Sequence, residues 1–157
     1  MNEALTKTLF TAGVQCHKLL WWKVNEPLAK ELQPDKVLLD RFEQGRQVGE
    51  LARKRFPGGV MIDGWQSLEE RIAATQAAIA SDAPAIYEAT FVADGVQVAV
   101  DILARVLGDR WRLVEAKMTS SQKDEHIPDV AIQLHVLTQC GVKVTAVEVM
   151  HLNGEYR

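Results

Sequence analysis

Two apolar segments joined by a short turn, at residues 98–119 (VAVDILARVLGDRWRLVEAKMT), constrain the fold of this chain more than any other feature. Their apolar and β-branched residues predict two neighbouring strands of one sheet. Charged residues interrupt both strands: Asp101 in the first, and Glu115 and Lys117 in the second. Because successive side chains of a strand point to opposite faces, Glu115 and Lys117 share a face, and the apolar residues around them take the other.

The apolar surroundings give these three charges their meaning. A Glu-x-Lys triplet alone is a weak signal in a chain that is 25% charged. An unpaired charge buried in a strand, however, costs several kcal/mol. Three strand charges of mixed sign therefore favour a bound cation and a phosphate over a solvated face.

This interpretation makes a geometric demand on the turn. A regular two-residue hairpin after Leu107 would put Asp101 on the face opposite to Glu115 and Lys117. We therefore predict a three-residue loop, or a β-bulge near Asp101, that returns Asp101 to the face of the other two charges.

Length and composition limit the domain organisation. With 157 residues, 47% of them hydrophobic, the chain predicts one domain, mainly helical over residues 1–82 and containing the catalytic sheet over residues 83–157. The net charge of -3 is only weak evidence against nucleic-acid binding, because an acidic metal pocket can coexist with a local basic rim. Two cysteines make no disulfide framework, and no secretory or transmembrane segment opens the chain, so we expect a cytoplasmic protein without a membrane partner.

Periodicity and capping residues predict the order of elements. The expected helices are a short one capped by Thr6 or Thr8, then 16–24, a long one from Asp35 to Phe56, 67–80 and 127–139; the expected strands are 60–62, 85–92, 96 onward, the Glu115 strand and 142–152. Gly45 and Gly49 in the long helix suggest close approach of a backbone or ligand. The last strand is apolar enough to lie inside the sheet. The class is α/β, with helices covering a central mixed sheet.

The order αβββαβ, with Asp101, then Glu115-Ala116-Lys117, then Gln133 on the next helix, resembles the PD-(D/E)XK nuclease superfamily. Within it, the chain is similar to the RecB-like branch that includes the CRISPR-associated exonucleases. Nearly the whole chain resembles an uncharacterised bacterial domain family of that branch, through LTKTLFTAGVQCHKLLWW, FEQGRQVGELARKRFPGGV, IYEATF, VDILAR, WRLVEAK, HIPDVAIQLHVL and VMHLNGEYR. The resemblance implies a restriction-endonuclease-like core and a metal-dependent, exonuclease-like DNA nuclease.

The resemblance also implies the metal ligands. Asp101 and Glu115 would hold Mg²⁺ or Mn²⁺ with help from the backbone carbonyl of Ala116, and hard oxygen ligands suit these ions. Glu88 or Glu50 is a candidate for a further ligand, although Glu88 equally suits a solvent-facing position on an edge strand.

Two further residues take catalytic roles by the same resemblance. Lys117 would orient the attacking water or stabilise the transition state. Gln133 would steady the site from the next helix; otherwise it is a half-exposed helix glutamine.

The chain departs from the family pattern at several positions. Gly49 stands where the branch often carries a metal-binding histidine, and Leu137 stands where it carries a tyrosine. Cys16 matches the first cysteine of the iron-sulfur cluster of many relatives, but the other three are missing, so we expect no cluster and a minimal or truncated core.

Candidates for DNA contact are Arg53, Lys54 and Lys123, although the first two also suit a solvated helix end. Trp21 and Trp22 favour the core or an interface over base stacking, and if exposed they would suit a symmetric homo-oligomer.

Two other functions remain open. The missing histidine and cysteines suit a catalytically weak module of the same fold that binds nucleic acid or a protein partner. An unrelated α/β domain with a fortuitous buried Glu115–Lys117 ion pair is the other alternative, which the poor stabilisation given by such pairs disfavours.

Overall fold

The computed structural model describes residues 4–155 and forms one mixed sheet with helices on both faces. The helices are α1 (Lys7–Gln15), α2 (His17–Asn25), α3 (Lys36–Arg53), α4 (Leu68–Ala80) and α5 (His126–Gln139), with a short 3-10 helix at Lys30–Leu32. The strands are β1 (Leu5–Thr6), β2 (Val60–Met61), β3 (Ala85–Ala93), β4 (Val96–Leu107), β5 (Arg110–Lys117) and β6 (Lys143–His151). The predicted α/β class with a central mixed sheet is confirmed.

The strand order is β2-β3-β4-β5-β6, and β1 pairs with the start of β4. The β3–β4 and β4–β5 pairs are antiparallel, whereas β2–β3, β5–β6 and β1–β4 are parallel. The predicted interior position of the last strand is wrong: β6 is an edge strand, and about every second residue along it is exposed. Val144 and Met150 of this strand pack on opposite faces of the sheet.

Two apolar cores lie on opposite faces of the sheet. The larger core joins the sheet to α4 and α5 through residues such as Ala78, Trp111 and Val136. The smaller core joins it to the end of α3 through Ala52 and Phe56.

Local signals explain the helix boundaries. The Thr6 side chain caps α1 by accepting a hydrogen bond from the Leu9 N–H at 3.2 Å. Ser67 and Glu70 form the predicted capping box at the start of α4. Of the two threonines considered as the first cap, Thr6 therefore has this role.

The apolar face of α3 is largely exposed. Val37, Phe42 and Leu51 are each more than half exposed, and Ala52 is the buried residue of this helix. The expected close approach of another backbone at the two glycines is wrong: a Cβ at Gly45 would meet open space, and one at Gly49 would contact the helix's own Arg53 side chain. Trp21 on α2 is also half exposed.

A β-bulge corrects the register between β4 and β5. The connection is a two-residue turn, so the predicted three-residue loop is wrong. A register shift between Arg105 and Leu107 leaves Ile102 paired with Val114, and continuation of this register puts Asp101 opposite Glu115. The bulge predicted near Asp101 thus exists, but it lies beside the turn, where it has the same effect on parity.

A second irregularity lies next to the charged residues. Val98 and Val100 join the larger core together with Leu103, whereas strict alternation would put them on the other face. The same change of face occurs in β3 at Glu88, which has a φ of 57°. A φ in this region is costly for a residue that has a Cβ. The change of face in both strands means that each is distorted where Glu88 and Asp101 meet.

No helix within residues 4–155 is long and apolar enough to cross a lipid bilayer.

Candidate active site

The Asp101 carboxylate lies where β4 and β5 separate. The pairing of β4 with β5 ends at Ile102 and Val114. The next free donor on β5, the Ala116 N–H, donates to Asp101 Oδ2 at 2.8 Å. Ala116 therefore contacts the predicted metal ligand through its N–H, and Asp101 is held at the fork of the two strands.

Glu115 is the centre of the charged cluster. Its side chain is only 3% exposed, yet it is surrounded by donors. Lys117 Nζ donates to Oε1 at 2.8 Å, and Gln133 Nε2 donates to Oε2 at 2.9 Å. The predicted set of Asp101, Glu115, Lys117 and Gln133 is thus brought together in one place.

Asp129 also belongs to this cluster, but it was not among the predicted site residues. It lies one helical turn before Gln133 on α5, is 6% exposed and forms an ion pair with Lys117. Burial by itself would raise the pKa of Asp129, but the ammonium groups of Lys7 and Lys117 outweigh it and hold that pKa below its usual value. Its spacing of four from Gln133 is the sequence signal that could have found it.

Gln133 is completely buried, so its alternative interpretation as a half-exposed helix glutamine is wrong. Its Nε2 donates to Glu115 and to Asp129, at 3.1 Å to Oδ1. Its Oε1 has no hydrogen-bond partner within the described part of the chain. A buried acceptor without a donor is a costly arrangement that a bound ion or water would relieve.

Lys7 is the second residue that the sequence analysis missed. Its Nζ lies 3.0 and 3.1 Å from the two oxygens of Glu115 and 3.5 Å from Asp129 Oδ1. Burial opposes its charge, but the carboxylates of Glu115, Asp101 and Asp129 outweigh burial and raise the pKa of Lys7 above its ordinary value. Lys7 begins α1, an end of a helix that disfavours cations, and this was the available sequence signal.

Two carboxyl groups at the site resist ionisation. Burial, followed by the nearby Glu115 charge, raises the pKa of Asp101 to about 7. Burial also raises the pKa of Glu88, against the opposing effect of Arg53. The Arg53 guanidinium lies 3.6 Å from Glu88, so the end of α3 reaches the rim of the site.

The other predicted contacts lie outside this cluster. Glu50 pairs with Arg46 on the exposed side of α3. Lys54 is exposed at the end of α3, and Lys123 is exposed in the loop before α5. These three residues have no described contact with Asp101 or Glu115 within residues 4–155.

Two cavities border the charged cluster. One of about 500 Å³ is lined by Lys117 and Asp129 together with Thr11, Met118 and His126 among others. A second, of about 250 Å³, is lined by residues including Lys7, Glu88, Gln97 and Asp101. Charged residues of the cluster therefore line both cavities.

The donor set can be compared with the needs of a metal ion. Within residues 4–155, no group of three or more His, Cys, Asp or Glu side chains is arranged to hold a metal. The carboxylates of Asp101 and Glu115 nevertheless offer only hard oxygen donors, and the buried Gln133 Oε1 beside them lacks a hydrogen-bond donor within residues 4–155. These residues fit Mg²⁺ or Mn²⁺ chemically, and Lys7 and Lys117 are the cations that contact Glu115 in the structure described here.

Comparison of the chain with protein-family models, curated proteins and solved structures finds no match. The function therefore has to be inferred from the site itself.

Proposed function

We propose that this protein is a metal-dependent DNA nuclease with a restriction-endonuclease-like core, related to the RecB-like branch of the PD-(D/E)XK superfamily. One observation carries the proposal. Glu115 binds both the Lys117 ammonium and the buried Gln133 amide, and Asp101 of the neighbouring strand is held beside it by the N–H of Ala116. Carboxylates and a lysine around an accessible cleft are the groups that phosphodiester hydrolysis requires.

Each residue has a role in this proposal. A Mg²⁺ or Mn²⁺ ion held by Asp101 and Glu115 would supply an acidified water and positive charge at the scissile phosphate. Lys117 orients the attacking water or donates to a non-bridging phosphate oxygen as charge develops. Gln133 fixes the Glu115 carboxylate, and Asp129 fixes the Lys117 ammonium.

The surroundings suit a nucleic-acid strand. The cavity of about 500 Å³ beside Lys117 is within the size range of small-ligand pockets and accommodates a nucleotide next to the scissile bond. Arg53, at the rim beside Glu88, is available to a neighbouring phosphate. We propose exonuclease-like action on a DNA end.

A second candidate function is supported by the lysines. Lys7 and Lys117 both contact Glu115 and neutralise it without a metal. A catalytically weak module of the same fold, binding nucleic acid or a protein partner, would tolerate this permanent neutralisation.

Cleavage of linear and circular, single- and double-stranded DNA with Mn²⁺, Mg²⁺ or EDTA tests the nuclease proposal. The variants are Glu115→Gln and Lys117→Met, and the control is Lys143→Met, which removes an exposed lysine paired with Asp109 at the β4–β5 turn. We expect metal-dependent cutting by the wild-type and control proteins, and a loss of more than about a hundredfold in both site variants.

The same assay separates the alternatives. A folded wild-type protein that binds Mn²⁺ without cutting DNA would support the binding module. A folded wild-type protein that neither binds Mn²⁺ nor cuts DNA would show that the cluster is a structural ion-pair network.

A further inference from the structure

We propose that Lys7 is an internal cation of the candidate site, which occupies the place between the carboxylates and has to withdraw before a divalent metal ion binds Glu115. The inference rests on the proposed metal site and adds a residue that controls its affinity. Lys7 would thus be a positioning residue, because it acts on the metal through the carboxylates.

The contacts of the ammonium group carry the argument. Lys7 Nζ is nearly equidistant from both Glu115 oxygens, at 3.0 and 3.1 Å, and also lies 3.5 Å from Asp129 Oδ1. A hard divalent ion would seek these same carboxylate oxygens. Lys7 and Lys117 already share Glu115 Oε1, so a third cation of charge +2 at contact distance would be strongly repelled by the ammonium groups. Binding of the ion and the present position of the ammonium therefore exclude each other.

The position of Lys7 in the fold does not otherwise explain a lysine. It is the first residue of α1, where the helix dipole disfavours positive charge, and its side chain is only 21% exposed. The partner that compensates for both costs is the acidic cluster, reached across 108 residues of sequence. The interaction with that cluster is thus the reason for a cation at this point.

The structure also offers a place for the withdrawn side chain. A cavity of about 250 Å³ is lined by Lys7 itself and by Thr8, Gln97 and Ala99, among others. The four-carbon stem of lysine reorients through single-bond rotations without moving the backbone of α1. The ammonium can therefore leave Glu115 while the helix stays in position.

Lys117 provides an internal comparison. It contacts one oxygen of Glu115, Oε1 at 2.8 Å, and its other ion pair is with Asp129. Lys7 spans both oxygens of Glu115. Removal of Lys7 therefore leaves one lysine contact, from Lys117 to Oε1, whereas removal of Lys117 leaves both oxygens in contact with Lys7.

Titration with Mn²⁺, followed by the electron paramagnetic resonance signal of the free ion, tests the inference. The proteins are wild type, Lys7→Met, Lys7→Arg, the double variant Lys7→Met/Glu115→Gln, and Lys18→Met as a control for loss of an exposed lysine from α2. We expect Lys7→Met to bind Mn²⁺ at least tenfold more tightly than wild type. Lys7→Arg and Lys18→Met should bind no more tightly than wild type, and the double variant should lose the tight site.

A wild-type measurement keeps the inference testable if Lys7→Met does not fold. In an NMR titration with Mg²⁺, the side-chain ε-methylene signal of Lys7 should shift as the ion binds, while that of Lys18 should not. An unchanged Lys7 signal at saturating Mg²⁺ would overturn the inference, and so would equal or weaker Mn²⁺ binding by a folded Lys7→Met protein.

The two proposals fail separately. Wild-type cleavage of DNA combined with unimproved Mn²⁺ binding by Lys7→Met would overturn the role of Lys7 and leave the nuclease intact. Tight Mn²⁺ binding by Lys7→Met without any cleavage of DNA would support Lys7 and contradict the nuclease.

Discussion

At the scale of single residues, Asp101 makes the stability of the metal-free protein depend on pH. Its pKa rises from 3.8 to about 7 on folding, because burial and the Glu115 charge disfavour its carboxylate. Between about pH 4 and pH 7 the folded state therefore binds a proton that the unfolded state has released, and the unfolding free energy contributed by Asp101 falls as pH rises.

Asp101→Asn should remove this contribution, which is about 3 kcal/mol across that range. Urea denaturation in EDTA at several pH values measures it as the difference between wild type and variant. The wild type should lose stability relative to the variant as pH rises. Parallel profiles for the two proteins would show that Asp101 ionises normally.

The site residues differ in how well the sequence predicts them. Asp101, Glu115 and Lys117 stand out because a charge in an apolar strand has few harmless explanations. Lys7 stands in an ordinary polar stretch, and its partner Glu115 lies 108 residues away. Its role depends on where β1 docks against β4, which no local pattern contains.

At the scale of elements, Arg105 holds the bulge that sets the parity of Asp101. Its guanidinium lies over the Trp111 ring at 4.1 Å. It also donates to four backbone carbonyl groups around the end of α4 and the β4–β5 turn, those of Ile79, Ser81, Ala83 and Gly108. This fan of bonds ties the irregular end of β4 to the neighbouring helix.

Arg105→Met should destabilise the protein by about 2–3 kcal/mol, because several partly buried carbonyl groups lose a charged donor and the ring loses its cation. The stability of Arg105→Lys, which keeps the charge but not the several N–H donors of the guanidinium, should lie between that of wild type and that of Arg105→Met. Urea unfolding curves give the values. A change below about 0.5 kcal/mol for Arg105→Met would mean that the bulge does not depend on this side chain.

The elements were more predictable than their pairing. Caps such as Ser67 and the apolar runs of β3 to β5 are local and mark the elements themselves. The position of the bulge and the edge position of β6 depend on contacts between distant segments. Apolar content suggested an interior strand, but an edge strand that packs residues such as Val144 and Met150 on the two faces of the sheet has the same composition.

At the scale of the whole molecule, a net charge of -3 coexists with cations gathered at one site. Lys7 and Lys117 lie within the cluster, and Arg53 lies at its rim. Nucleic-acid affinity should therefore fall with salt, since bound phosphates release counterions.

Arg53→Met, in a Glu115→Gln background that prevents cleavage, should reduce the slope of log affinity against log salt by about 1. Fluorescence anisotropy of a labelled single-stranded oligonucleotide at increasing KCl gives the slope. Lys143→Met, at the β4–β5 turn, should leave it unchanged. An unaltered slope in the Arg53 variant would show that Arg53 does not contact a DNA phosphate.

The class and the single mixed sheet followed from composition and element order, since a sheet with two apolar faces needs helices on both. The exposed apolar face of α3 did not follow, because helical periodicity predicts an apolar stripe without saying what covers it.

The most direct test of the central claim, that this site hydrolyses DNA with a metal-activated water, is DNA cleavage in ¹⁸O-labelled water with Mn²⁺. We predict that mass spectrometry of the wild-type products will show one ¹⁸O atom in each new terminal phosphate, and that Glu115→Gln will give no product. Cleavage that persists in Glu115→Gln, or wild-type products without the label, would contradict it.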